Sequence, residues 1–348
     1  MKILVVAPSW IGDTVLSQPL FRLLHQRHPR LALDVVAPPW TLPLLLRMPE
    51  IRRASAHGFA HGELKFSDRF RLGRELARER YDQAIVLPNT FKSALVTLFA
   101  GIPRRTGYRG ESRWLVLNDL RHLDEQALPQ IAQRYAALGL EPGSPAPAPL
   151  PLPHLVSNDA AVDATLDRLQ LSSGGEAVAF CPGAEYGPAK RWPAPYFAEL
   201  ARKLSAEGHS VWLIGSSNDA AVGAEIERLA PGAAFNLCGR TTLDEAIDLL
   251  AAARLVVSSD TGLMHIAAAL GTPLLALYGS STPVFTPPMS EAATILKLDM
   301  PCSPCFERTC PLGHFDCMNR LKPATVHERV AELLARLPRG TSDATAIG

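Results

Sequence analysis

The residues best suited to chemistry fall in a few short stretches, and the most concentrated is Asp260-Thr261-Gly262 followed by His265. An apolar, β-branched run at 255–259 reads as a buried strand before it, and 263–270 has the small and apolar residues of a tightly packed helix after it. A strand-to-helix turn offers free backbone N–H groups and the positive end of a helix dipole, which suits a diphosphate. Gly262 permits close approach, and the Thr261 hydroxyl adds a donor. Asp is also a common N-cap, and a single His near a helix start is more often only packed, so the segment alone fits a ligand site and a structural turn equally.

Lys190 follows a strand read over 176–183 and lies at the same sheet edge as Asp260, where an ammonium either neutralises a departing phosphate or stays in solvent. Asp219 follows the strand at 210–215 and either caps the next helix or accepts from a ribose hydroxyl. Asp13 occupies the first strand–helix connection, where open α/β sheets bind ligands, and is either an N-cap or a general base. That connection lacks Gly-x-Gly-x-x-Gly, which argues against a dinucleotide fingerprint. Lys92 lies just past another strand end, with Arg104, Arg105, Arg109 and Arg113 after the next helix. Such a cluster grips phosphates or solvates a surface. Cys302, Cys305, Cys310 and Cys317, with His314 among them, are crowded like metal ligands. The second spacing is not that of a finger pair, so reduced thiols are preferred to a structural zinc, whereas Cys181 and Cys238 read as buried small residues.

The elements that must hold these residues alternate. Strands are expected at 2–8, 33–37 and 81–88, with a helix over 15–28 stopped by Pro29. The proline-rich stretch 142–153 forms neither helix nor central strand and reads as a stiff connector. Beyond it the pattern restarts with strands at 176–183, 210–215, 255–259 and 273–279, and a short segment at 234–239 precedes the helix at 243–253. Helices fall at 195–208, 243–253 and 263–270, and an amphipathic helix at 326–337 precedes a tail read as disordered from Pro338. The result is an α/β chain of two domains with mostly parallel sheets.

Composition bounds the function. With 348 residues, 47% hydrophobic and 20% charged, the chain has the make-up of a soluble globular protein. No apolar run approaches the ~20 residues needed to span a bilayer, and the N-terminus leads straight into a strand, so a cytoplasmic protein is expected. Residues 1–150 carry 20 Lys and Arg against 13 Asp and Glu, net +7, and the remainder 15 against 21, net −6. A basic first half suits an anionic partner, but without the dense basic and aromatic patch of a nucleic-acid binder.

Taken in order, Pro8-Ser9-Trp10-Ile11-Gly12-Asp13, Pro88-Asn89-Thr90-Phe91-Lys92-Ser93-Ala94, the stretches 101–110 and 182–193, Asp260-Thr261-Gly262-Leu263-Met264-His265 and the cysteine-rich loop resemble the ADP-heptose:lipopolysaccharide heptosyltransferases of glycosyltransferase family 9, most closely those adding the second heptose. The resemblance implies a GT-B fold, two Rossmann-like domains with parallel sheets facing across a cleft: 1–153 for the acceptor, 154–325 for ADP-heptose, and 326–348 as a helix crossing back onto the first domain plus the tail. It implies inverting transfer of L-glycero-D-manno-heptose from ADP-heptose to the first heptose of heptosyl-Kdo-lipid A at the inner leaflet of the cytoplasmic membrane. Transfer to the bare Kdo acceptor or to a later heptose is the alternative within the family, and a nucleotide-sugar sensor the alternative outside it. Asp13 matches the family's general base. Lys190, Asp260, Thr261, Gly262 and His265 match donor positions, Asp260 orienting the turn, Lys190 or a sugar hydroxyl, with Asp219 a looser match to a ribose contact. Lys92, Arg105 and Arg109 are assigned to the acceptor's phosphates. The family needs no catalytic metal, and the sequence has no Asp-x-Asp.

Overall fold

The computed structural model describes residues 1–59, 63–145, 148–171 and 177–338. They divide into two compact units, Met1–Val156 with Val284–Thr286, and Ser157–Pro283 with the residues from Pro287 on. In the first unit the order is β1 (Lys2–Val6), α1 (Ile11–Leu16), α2 (Gln18–Arg27), β2 (Ala32–Ala37), α3 (Leu42–Leu46), β3 (Arg53–Ala56), α4 (Phe66–Leu76), β4 (Gln83–Val86), α5 (Phe91–Phe99), β5 (Arg104–Tyr108), β6 (Asp119–Arg121) and α6 (Ile131–Leu138). Its sheet runs β3-β2-β1-β4-β5-β6, with Val5 in register with Val35 on one side and Ile85 on the other. Ile3, Leu4, Val5 and Ile85 are wholly buried, as continuous apolar runs in a parallel sheet covered on both faces must be.

The second unit repeats the plan with α7 (Asp159–Leu169), β7 (Val178–Cys181), α8 (Ala194–Ala206), β8 (Val211–Leu213), α9 (Ala220–Leu229), β9 (Phe235–Asn236), α10 (Leu243–Ala252), β10 (Leu255–Ser259), α11 (Gly262–Leu270), β11 (Leu274–Tyr278), β12 (Ala293–Lys297), α12 (Asp316–Asn319) and α13 (Pro323–Arg336). The sheet order is β12-β11-β10-β7-β8-β9, every described pairing parallel. Each sheet therefore has one switch point, between β1 and β4 and between β7 and β10. Connections leave in opposite directions there and open a crevice at the carboxyl ends of the strands.

Several expectations change. The helix read over 15–28 starts at Ile11 and breaks at Ser17, because Pro19 has no N–H to return to Val15 and the Ser17 N–H bonds Thr14 O instead. β3, β5, β6 and β12 were not anticipated. β3, β6 and β12 have few or no buried residues, and Arg104-Arg105-Thr106-Gly107 of β5 carries no apolar run to announce a strand. The connector was read as ending at Pro153. The His154 N–H donates to Gln18 Oε1 at 2.9 Å and the Val156 N–H to Arg47 O at 3.0 Å, so the main chain stays tied to the first unit through Val156.

The final helix was expected to cross back onto the first domain. Instead Val326, Val330 and Leu334 are buried in the core of the second unit beside Phe197, Ala201 and Leu204 of α8, and the Trp192 indole N–H bonds Leu321 O just ahead of it at 2.8 Å. The segment that the first unit does take in is Val284–Thr286, where Phe285 O accepts from the Ile131 N–H at 3.1 Å. Of the remaining expectations, part of the proline-rich connector (146–147), Glu176 of the strand read at 176–183 and the tail from 339 on lie outside the described residues.

Candidate active site

In the second unit, Asp260 directly follows β10, and the one-turn helix Pro188–Lys190 follows β7, so both stand at the carboxyl edge of the switch point. Lys190 Nζ donates to Asp260 Oδ2 at 2.6 Å, with the lysine side chain 19% exposed and the aspartate 5%. Asp260 thus orients Lys190, one of the roles open to it from sequence. Thr261 caps α11, its Oγ1 accepting from the Met264 N–H at 3.3 Å, so the N-cap is Thr261 and not Asp260. Gly262 opens the helix, leaving its first N–H groups and dipole end at the turn.

His265 is buried one turn in, Nε2 3.8 Å from Asp260 Oδ1, and Nδ1 has no hydrogen-bond partner among the described residues. Burial pushes its pKa down to about 4; the Asp260 carboxylate works against this and the Lys190 charge adds to it. His265 is therefore neutral at neutral pH. The native state binds fewer protons than the unfolded chain between the ordinary value of 6.5 and about 4. Stability present above 6.5 is then lost as pH falls through that window, by about 3 kcal/mol in all. An NMR titration of the folded protein is expected to find the His265 ring changing charge near pH 4, and His265→Gln to flatten the acid limb of the urea-midpoint profile.

The loop carrying Lys190 is braced by the cysteine-rich segment. The Ala189 N–H donates to Arg308 O at 3.0 Å, and a Cβ on Gly187 would stand 2.4 Å from that oxygen. The Tyr186 ring lies between Lys190 Nζ, 5.3 Å from its centroid, and the Arg308 guanidinium, 5.1 Å away, while its hydroxyl donates to Phe306 O at 2.9 Å. Tyr186 lies within the motif at 182–193, whereas Arg308 was not singled out from sequence. Arg308 is visible there only as a basic residue between cysteines. Cys302, Cys305, Cys310 and Cys317 line one small cavity with His314 and Ser280. All six cysteines are free thiols, and among the described residues no three His, Cys, Asp or Glu stand at metal-holding spacing. Cys181 and Cys238 are buried as expected, and burial lifts the Cys238 thiol to about 12.

Asp219 bonds within its own turn through one carboxylate oxygen, while Oδ1 is buried with no hydrogen-bond partner among the described residues. It is buried, with Oδ2 accepting from both the N–H (3.0 Å) and Oγ–H (2.9 Å) of Ser216, and it packs so closely that a Cβ on Gly183 would lie 2.2 Å from Oδ1. It closes a capping box at the turn before α9, the structural alternative weighed for it.

In the first unit Asp13 lies in the first turn of α1, beyond β1 at the switch point and partly exposed. Tyr135 of α6 is buried, and burial, then the Asp13 charge, hold its phenol well above its ordinary pKa. Exposed Trp10 precedes α1, and exposed Trp40 donates from its indole to Ser9 O at 2.9 Å. From sequence Tyr135 is indistinguishable from a helical core position, whereas Trp10 was visible only inside its motif.

The arginine cluster separates. Arg105 donates from Nε to Val116 O (2.7 Å) and from Nη1 to Ile102 O (2.6 Å), and so clamps the β5–β6 connection while partly exposed. Arg104 pairs with Asp119 at 2.9 Å. Arg113, expected on the surface, is wholly buried against Asn89 Oδ1 at 2.9 Å, and burial lowers its pKa to about 10. Lys92, in the first turn of α5, is partly exposed and Arg109 is exposed.

The model of glycosyltransferase family 9 (heptosyltransferase) matches residues 69–316. The chain belongs to glycosyltransferase family 9. Among its family 9 relatives, lipopolysaccharide heptosyltransferase 2 of Escherichia coli K12 is 48% identical over 307 residues, 86% of this chain and 88% of the relative. The protein of the same name from Salmonella typhimurium LT2 is 44% identical over 344 residues, 96% and 99%. The solved structure of E. coli ADP-heptose LPS heptosyltransferase II matches with a TM-score of 0.87 at 44% identity, covering 97% of this chain and 99% of that one. This family 9 chain is accordingly a glycosyltransferase of GT-B fold.

Proposed function

We propose that the chain moves L-glycero-D-manno-heptose from ADP-heptose to the first heptose of the lipopolysaccharide inner core in a single inverting displacement. The observation that carries this reading is the Lys190–Asp260 pair at the N-terminus of α11, in a chain nearly half identical to lipopolysaccharide heptosyltransferase 2 of E. coli. The second unit binds the donor and the first the acceptor. Asp13 takes the proton of the acceptor hydroxyl, whose oxygen attacks the anomeric carbon while the bond to the β-phosphate oxygen breaks and its electron pair leaves on ADP. Lys190 and the N–H groups opening α11 offset the charge that gathers on ADP, work a divalent cation does in other transferases. Neutral His265 lies beside Asp260 without competing with Lys190 for its charge. Lys92, Arg105 and Arg109 meet the acceptor's phosphates, Arg105 also holding the β5–β6 connection. No metal is required for the reaction, and the work takes place at the inner leaflet of the cytoplasmic membrane.

The test is ADP release by the purified chain given ADP-heptose and Kdo-lipid A with or without one heptose already attached. Turnover with the heptosylated acceptor alone is the expected result. Turnover with the bare Kdo acceptor alone reassigns the chain to the first transfer, and ADP release with neither removes the assignment.

A further inference from the structure

The transfer chemistry leaves four thiols of the second unit unused. Cys302, Cys305, Cys310 and Cys317 line one cavity, and all are free. Their environments differ. Cys310 is partly exposed, and its Sγ accepts from the Phe315 N–H at 3.4 Å. That bond above all, joined by the N–H groups of Leu312, Gly313 and His314, holds the thiol below its ordinary pKa. A thiolate held by main-chain donors and open to solvent is the form that reacts with oxidants. Cys317, two residues past Phe315 in α12, is partly buried; burial, then the charges of Cys305, Cys302 and Cys310, push its thiol up. An ionisable, accessible sulfur and a thiol kept protonated thus share one cavity, while Cys181 and Cys238 are shut in the core.

The same segment positions Lys190. Ser303 Oγ donates to Gly279 O at 2.6 Å, and the Cys305 and Phe306 N–H groups donate to Ser280 O at 3.1 and 2.8 Å, which pins the segment to the end of β11. Between Cys305 and Cys310 it offers Phe306 O to the Tyr186 hydroxyl and Arg308 O to the N–H of Ala189, the residue before Lys190. Arg308 is two residues from Cys310, so displacement of that sulfur pulls on the carbonyl that holds the loop.

We infer that Cys310 is a site of reversible oxidation by peroxide, resolved by Cys317 into a disulfide that loosens the Lys190 loop. The Cys310 thiolate attacks one peroxide oxygen, the O–O bond breaks, and the other oxygen leaves with the electron pair as hydroxide, so that sulfur is oxidised to sulfenic acid and peroxide reduced. The Cys317 sulfur then attacks the sulfenic sulfur, the S–O bond breaks, and the hydroxyl departs with the Cys317 proton as water. Forming the bridge draws Cys310 Sγ off the Phe315 N–H and the Arg308 carbonyl off Ala189. The consequence for the donor rests on the reading above, in which Lys190 serves the leaving diphosphate; the bridge itself does not.

Brief exposure of the reduced full chain to hydrogen peroxide, followed by peptide mapping, hydrogen exchange over 186–190 and isothermal titration with ADP, tests it. The expected map shows a Cys310–Cys317 disulfide with Cys181 and Cys238 still reduced. Exchange over 186–190 is expected to quicken, and ADP to bind about tenfold more weakly, roughly the worth of one positioning hydrogen bond. Dithiothreitol should reverse both. Cys310→Ser and Cys317→Ala are each expected to match the reduced wild type in exchange and ADP affinity, before and after peroxide. Failure of the reduced wild type to bind ADP counts against the donor reading, and the map and the exchange still decide the inference. No bridge, or a bridge without Cys310, overturns it, as does a bridged wild type with unchanged exchange over 186–190. Equal peroxide effects in wild type and Cys310→Ser also overturn it. So does metal bound one to one by the reduced chain, which assigns the four thiols to that ion.

Discussion

Asp13→Asn is expected to bind ADP as tightly as the wild type and to lose about 10³-fold in kcat, within the range that a positioned general base contributes. The substitution keeps the size of the side chain in the first turn of α1 while removing its charge and its ability to accept a proton, and because Asp13 is only partly buried a folding defect is not expected. Isothermal titration with ADP, beside single-turnover transfer from ADP-heptose, separates the two effects, because ADP contacts are assigned to the second unit. A variant that retains more than a tenth of wild-type turnover would remove Asp13 as the base. Loss of ADP binding would show that Asp13 serves the donor and not the acceptor.

Lys190→Met should show two losses of different origin. Removing the ammonium leaves Asp260, 5% exposed, as an unpaired buried carboxylate, a change that costs about 3–5 kcal/mol of stability. It also removes the cation assigned to the leaving diphosphate, for which a fall in kcat of about 10²–10³ is expected. The double variant Lys190→Met/Asp260→Asn separates them: it should regain most of the stability measured by urea unfolding and none of the turnover. Recovery of turnover in the double variant would make Lys190 a purely structural partner of Asp260. His265 supplies an internal check. Lys190 helps to hold its pKa down, and the carboxylate 3.8 Å away pulls it up, so in the single variant its titration should move above pH 4.

Sequence reasoning went furthest where the physics is local. The turn at Asp260-Thr261-Gly262 was readable because a β-branched run, a cap and small helical residues lie within one short stretch, and the structure places β10, the Thr261 cap and α11 there. The break at Ser17 was equally local and was missed because Pro19 was overlooked inside an otherwise helical pattern. The arginines show the opposite case. Arg105, Arg109 and Arg113 look alike in sequence, yet one clamps main-chain carbonyls, one is exposed and one is wholly buried. The difference lies in the carbonyls and Asn89 that other segments bring to them.

By itself, then, the sequence determined the alternation of strands and helices, the placing of Asp13, Lys190 and Asp260 at strand ends, and the family motifs. All of these depend on periodicity and turn chemistry over a few residues. Only the tertiary structure decided which of those residues meet. Lys190 and Asp260 are 70 residues apart, and they pair because β7 and β10 are neighbours at the switch point of the second sheet. Tertiary packing likewise placed α13 on α8 and turned Asp219 inward to Ser216. Strand order and burial depend on how distant segments share one core, and no local pattern of residues carries that information.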